Sequence, residues 1–339
     1  MLPVINAEYK NDWGTRLLVN LPTGLPSSKV IENQTAICEA LHAFDVDIYW
    51  KNGLIIDIYP QVMTQDVPYN AIARHDYKVP IGINRRGEIK FYDFAGSFPH
   101  LLIGGISGGG KSVILRSILT SLALGPQPDL YLCDMKGGVE LGLYRNLAIT
   151  KGFATTLSDV QKFAGQAETE MSKRYSIMAA NDTQEWEGKR LIFVMDEMAD
   201  LKTRAGDPES AVKGAIKAIL TRISAKGRAA GVILVLCTQR PSADIVDGLI
   251  KTNIATSICF RTRDGVQSRV ILDHDGASDL PDIPGRCIYQ QAKDETLQTY
   301  FLPYKKAKKL LVYCERKAVV MNEPGASENP PMDGDFNLD

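Results

Sequence analysis

Residues 105–112 read Gly-Ile-Ser-Gly-Gly-Gly-Lys-Ser. A glycine, four residues, then Gly-Lys-Ser is the spacing of a loop that wraps phosphate groups. Glycines let successive backbone N–H groups turn toward one anion, and a helix that starts at the loop adds positive potential. Gly105, Ile106, Ser107, Gly108, Gly109, Gly110, Lys111, Ser112 and Val113 form the candidate nucleotide cradle. Lys111 can reach the β and γ phosphates of ATP, and the Ser112 hydroxyl can ligand Mg²⁺.

Such a loop needs an acid to hold the metal. Leu191–Met195 is an apolar run that ends in Asp196-Glu197. On a buried strand next to the loop strand, Asp196 would complete the Mg²⁺ shell and Glu197 would polarise the attacking water. A second apolar run, 232–237, ends in Thr238-Gln239-Arg240-Pro241. Gln239 is a candidate sensor of the γ phosphate, or else a strand-end turn residue. Before that run lies Lys226-Gly-Arg228-Ala-Ala-Gly231. An arginine there could reach a neighbouring subunit as a trans finger, a contribution of about 10³–10⁵ in rate. Arg228, Arg222 and Arg174 are the candidates.

The elements that must position these residues are legible in the apolar spacing. Strands are expected at 101–104, 129–133, 191–195, 232–237, 255–260 and 286–290, and helices at 111–124, 158–180 and 210–228. Ser158 and Gln161 have the spacing of a capping box for the second helix. Alternation of this kind predicts an α/β fold, a mostly parallel sheet covered by helices. Residues 1–70 read as a small α+β domain: a strand at 16–21, helical spacing from Val30 to Phe44, then two strands around Asn52-Gly53, a strong hairpin signal. The expected organisation is that domain, a connector at 71–95 with a hairpin near 84–87, an ATPase domain at 96–317, and a disordered acidic tail at 318–339.

The runs His100-Leu-Leu-Ile-Gly104, Lys111-Ser112, Val194-Met-Asp-Glu-Met-Ala-Asp-Leu201, Gly227-Arg-Ala-Ala-Gly231, Thr238-Gln-Arg-Pro-Ser242, Gly248-Leu-Ile-Lys251 and Ser268–Asp273 occur in this order. Together, over about residues 96–300, they resemble the motor domain of the FtsK/SpoIIIE DNA translocases. The resemblance implies a RecA-like P-loop NTPase that uses ATP and Mg²⁺ and assembles as a homo-oligomeric, hexameric ring around double-stranded DNA. It implies Arg228 as the trans finger, and Arg240 and Lys251 as contacts to the DNA backbone. Arg261, Arg263 and Arg269 add three arginines in nine residues. Arg269 matches the family, and Arg263 is placed to substitute for a lysine that the family often has where this chain has Gly265. Asp134-Met-Lys136 resembles the family's D-x-K stretch, and Asp134, at a strand end, is given no catalytic role. The membrane anchor and winged-helix domain of cell-division members are not visible. Gly14–Ser27 and Pro80–Gly87 more weakly resemble motors of conjugative plasmids, which points to DNA transfer, segregation or replication of a mobile element, with a membrane, relaxosome or replication partner.

The totals bound the alternatives. The chain has 339 residues, 45% hydrophobic and 23% charged, with a net charge of −1. No global basic field advertises nucleic acid, so any DNA-binding surface is local. Six cysteines without CxxC spacing fit a reducing cytoplasm. No apolar run reaches the roughly 18 residues that a membrane span needs. Two other readings compete: a type VII-like protein-secretion ATPase, although such chains usually string several ATPase domains together and this one has a single phosphate loop, and a nucleotide-binding adaptor with little turnover, against which Glu197 and Arg228 argue.

Overall fold

The computed structural model describes residues 2–70, 76–246 and 248–321. The expected tail lies outside the described residues from 322 onward, and 318–321 belong to the last helix.

The first unit is an antiparallel sheet in the order β1-β2-β4-β3, built from β1 (Val4–Asn11), β2 (Gly14–Asn20), β3 (Asp45–Trp50) and β4 (Leu54–Tyr59). Alternation assigns its faces. Leu17, Val19, Val46, Ile48, Leu54 and Ile56 pack together with Val30 of α1 (Ser27–Glu32) and Ile37 of α2 (Gln34–Ala40). The Asn52-Gly53 turn has both residues at positive φ, as a tight hairpin requires. Two expectations change here. Strand β1 has no counterpart in the apolar pattern, because it is an edge strand of mostly exposed polar residues. The single helix expected across 30–44 is two short ones, broken at Asn33.

The large sheet has ten strands in the order β6-β5-β14-β13-β12-β7-β11-β10-β8-β9. Its parallel half comprises β7 (Leu101–Gly104), β8 (Asp129–Cys133), β9 (Thr150–Ala154), β10 (Leu191–Met195), β11 (Val232–Thr238) and β12 (Thr256–Phe260). The antiparallel half comprises β13 (Arg286–Gln290), β14 (Asp294–Thr299), β5 (Lys78–Asn84) and β6 (Ile89–Asp93). Strands β7, β10, β11 and β12 are buried at every residue, which is why they read as continuous apolar runs.

Helices cover both faces. One core packs α4 (Leu157–Ala180) and α5 (Ser210–Ala230) on the sheet. The other packs α3 (Lys111–Leu124) and α8 (Tyr304–Met321) on the opposite face. Two short helices, α6 (Gly248–Asn253) and α7 (Gly265–Leu272), flank β12.

Two local details differ from expectation. The N-cap of α4 is Thr156, whose hydroxyl accepts from the Asp159 N–H at 3.2 Å, because a cap needs the extended backbone that Thr156 has and Ser158 already lies in the helix. Strand β10 is not adjacent to the loop strand β7; β11 lies between them.

Candidate nucleotide site and basic cleft

The loop leaves the buried end of β7 and delivers Lys111 as the first residue of α3. Its shape depends on glycine. Gly105 and Gly110 have φ of 136° and 121°, and a Cβ on Gly110 would lie 2.9 Å from the Phe260 ring and 3.1 Å from the backbone of Gly285. The loop is pinned from outside: the Ile106 N–H donates to the Arg261 carbonyl at 2.9 Å, and the Gly285 N–H donates to the Gly109 carbonyl at 2.8 Å. The Lys111 ammonium is 7% exposed and donates to the carbonyls of Gly105 and Ile106 at 2.5 and 2.6 Å. Burial lowers its pKa to about 8.

Asp196 and Glu197, 5% and 6% exposed, stand at the tip of β10. Burial raises the pKa of Asp196, and the nearby Lys136 opposes the shift. Lys136 Nζ lies 3.2 Å from Asp196 Oδ2 and 3.9 Å from Glu197 Oε2. Glu197 accepts from the Gln239 N–H through Oε1 and Oε2, at 3.1 and 3.2 Å, and from the Ala199 N–H at 3.2 Å. Lys111, Asp196, Glu197 and Gln239 thus meet at the carboxyl ends of three neighbouring strands. The hydroxyl of Ser112 and the carboxylate of Asp196 are the hard oxygen donors that Mg²⁺ takes. Among the described residues, no group of three or more His, Cys, Asp or Glu side chains could hold a metal alone.

Arg228 is not part of this cluster. It lies near the carboxyl end of α5, before β11 begins, whereas Gln239 follows the other end of β11. Seven residues of strand, roughly 23 Å, separate the two ends. The Arg228 side chain is half-exposed and sits 3.8 Å from Glu185. The two rival arginines have structural partners. Arg174 is buried, donates to the carbonyls of Ala230 and Gly231 at 3.0 Å, and stacks on Trp186. Arg222 pairs with Glu168 across α4 and α5.

Beside the phosphate loop lies a cleft of about 1150 Å³, lined by Ser107, Lys202, Arg204, Gln239, Arg240 and Arg263 among others. Of the five basic residues singled out in the sequence, Arg240 and Arg263 share this cleft. The other three face acids: Lys251 holds Asp273 at 2.6 Å, Arg269 holds Asp275, and Arg261 lies 3.4 Å from Asp282. Sequence reasoning does not single out Lys136, Lys202 or Arg204 as site residues. For Lys136 a signal exists in Asp134-Met-Lys136, which follows directly on a strand. Among the described residues, no helix is long and apolar enough to cross a membrane.

A glycine loop between a buried strand and a helix, with an acidic pair two strands away and a polar strand tip between, defines a RecA-like P-loop ATPase fold. The family model of the FtsK/SpoIIIE family matches residues 64–191. DNA translocase SpoIIIE of Bacillus subtilis (strain 168) is 34% identical over 303 residues, which cover 78% of this chain and 37% of that protein. DNA translocase FtsK of Helicobacter pylori (strain J99) is 36% identical over 201 residues, 54% of this chain and 23% of that protein. This chain therefore spans well under half the length of these curated relatives. Its fold is similar to that of the pCW3 conjugation coupling protein TcpA in its monomer form with ATPγS, with a TM-score of 0.69, 24% identity, and coverage of 92% of this chain and 93% of that one. It is also similar to ATPases 2 and 3 of EssC from Geobacillus thermodenitrificans, with a TM-score of 0.65, 17% identity, and coverage of 78% and 54%. The chain therefore carries an FtsK/SpoIIIE-family domain over residues 64–191, within a P-loop ATPase fold.

Proposed function

We propose that this protein is a cytoplasmic ATP-driven translocase of double-stranded DNA, working as a homo-oligomeric ring, a hexamer, in the transfer, segregation or replication of a plasmid or other mobile element. The observation that carries the reading is the separation of Arg228 from the phosphate loop of its own chain. A half-exposed arginine at the far end of β11 can serve a neighbour's nucleotide and not its own. The similarity to TcpA, a conjugation coupling protein, supports the role in DNA transfer.

The chemistry follows from the cluster. Lys111 and the loop amides neutralise and orient the phosphates of ATP. Glu197, fixed by the Gln239 and Ala199 N–H groups, accepts a proton from the attacking water. Ser112 and Asp196 would hold Mg²⁺, which supplies positive charge at the phosphate oxygens when bound. Arg228 of the adjoining subunit completes the charge on the leaving side. Gln239 precedes Arg240, so a shift of Glu197 on hydrolysis is passed within one residue to the basic cleft. Arg240 and Arg263 hold the DNA backbone there, with Lys251, Arg261 and Arg269 recruited from their acidic partners by the polyanion.

Displacement of a triplex-forming strand from linear duplex by the protein with ATP, with Lys111→Ala as control, tests the proposal. Wild-type displacement that is lost in the variant is the expected result. Turnover stimulated by a polypeptide and not by duplex would move the chain to the secretion reading. No turnover under any condition would leave a nucleotide-binding adaptor.

A further inference from the structure

We propose that Lys136 is a positioning residue for the acidic pair, holding Asp196 and Glu197 in the geometry that hydrolysis needs; this rests on the ATPase reading above. The loop that carries Lys136 is built around one buried carboxylate. Asp134 is fully buried at the end of β8 and accepts from the Lys136 N–H at 3.1 Å and from the Leu141 N–H at 2.9 Å. The turn between these two bonds uses Gly137 and Gly138, both at positive φ. A Cβ on Gly138 would meet the Arg145 guanidinium at 2.5 Å. The Asp134 carboxylate thus holds both ends of the turn, and its bond to the Lys136 N–H sets where the lysine stem begins.

The sheet then sets where the stem ends. Strands β8 and β10 are paired so that Cys133 lies beside Met195, and the Asp196 N–H donates to the Cys133 carbonyl at 3.0 Å. Asp134 and Asp196 are thus the next residues along two bonded neighbours. The Lys136 ammonium crosses this short gap to reach both carboxylates. Among the described residues, Lys136 is the cation ion-paired with either of them. Two adjacent, nearly buried carboxylates repel one another, and one cation between them removes most of that cost. Glu197 is then gripped from two directions, by the Gln239 N–H on one side and by Lys136 on the other.

The test is steady-state ATPase kinetics of Lys136→Met and Lys136→Arg, alongside direct binding of ATPγS and thermal melting. K136M should lower kcat by roughly 10²-fold, the scale of a misplaced catalytic group. Its ATPγS Kd should stay within a factor of about three, since loop and phosphate contacts are untouched. K136R should recover most of kcat. In a Glu197→Gln background, K136M should cause a smaller further loss, acting through Asp196 alone, because one of the two groups it positions is already gone. If K136M fails to melt cooperatively, Lys136→Gln replaces it with the same expectations. Wild-type kcat in K136M, or a large loss of ATPγS affinity with kcat retained, overturns the proposal and leaves the ATPase reading intact. A wild-type protein without ATP turnover overturns both.

Discussion

The backbone N–H of Gln239 reaches both carboxylate oxygens of Glu197, at 3.1 and 3.2 Å. The carboxylate is aimed by main chain, so its direction is inherited from strand β11. Glu197→Gln keeps an acceptor for that N–H and removes the base. The variant should bind ATPγS with near wild-type Kd while kcat falls by about 10²–10⁴-fold. Equal losses in kcat and in ATPγS affinity would show that Glu197 shapes the binding site instead.

Arg228 and Lys111 lie at opposite ends of the sheet within one chain. Arg228→Ala and Lys111→Ala should each abolish turnover alone. An equimolar mixture of the two should recover part of it, because some interfaces then join an intact loop to an intact arginine. A mixture as inactive as its components would exclude the shared cleft.

The motor is more legible in sequence than the unit before it. Fully buried parallel strands such as Leu191–Met195 read as apolar runs with acids at their tips, and the helices between them carry clear periods. Strand β1, with its exposed Lys, Glu and Asn side chains, carries none. Strands β9 and β14 are equally silent, being only partly buried. Within the site, the phosphate loop and the acidic pair are local patterns. The roles of Lys136 and Arg174 are not local: one depends on β8 lying beside β10, sixty residues away in sequence, and the other on the carbonyls at the end of α5.

Asp57 joins the first unit to the motor. Its carboxylate is fully buried and accepts from Arg16 at 2.6 and 2.9 Å, and from Arg86, in the β5–β6 turn, at 2.6 Å. Asp57→Ala would leave two guanidinium groups without their shared anion. We expect a loss of about 3 kcal/mol in unfolding free energy, measured by urea denaturation. A loss within the error of the measurement would mean that solvent already screens the pair.

His100 makes stability depend on pH in a defined window. Its Nδ1 accepts from the Leu234 N–H at 3.0 Å, and burial lowers its pKa from the ordinary 6.5 to about 4. Below pH 6.5 the unfolded chain binds a proton that the folded chain refuses until about pH 4. Its contribution is therefore complete above pH 6.5 and is lost as pH falls toward 4, by about 3 kcal/mol. His100→Asn keeps an acceptor near the same N–H without the titration. The stability difference between wild type and H100N should shift in favour of the variant by that amount between pH 7 and 4. A pH-independent difference would show that His100 takes up its proton as readily in the folded chain as in the unfolded one.

Salt dependence separates the basic residues. Each DNA phosphate that a variant no longer neutralises should reduce the slope of log affinity against log salt by about 0.9 in magnitude. Arg240→Ala with Arg263→Ala, two arginines in one open cleft, should therefore lower it by about 1.8 for duplex DNA of any sequence. Lys251→Ala should change it less, because its ammonium must first leave Asp273 and the Arg269 carbonyl, at 2.6 and 2.7 Å. Asp273→Asn should then strengthen DNA binding, since it frees that ammonium. An unchanged slope in the double arginine variant would place the DNA elsewhere on the motor.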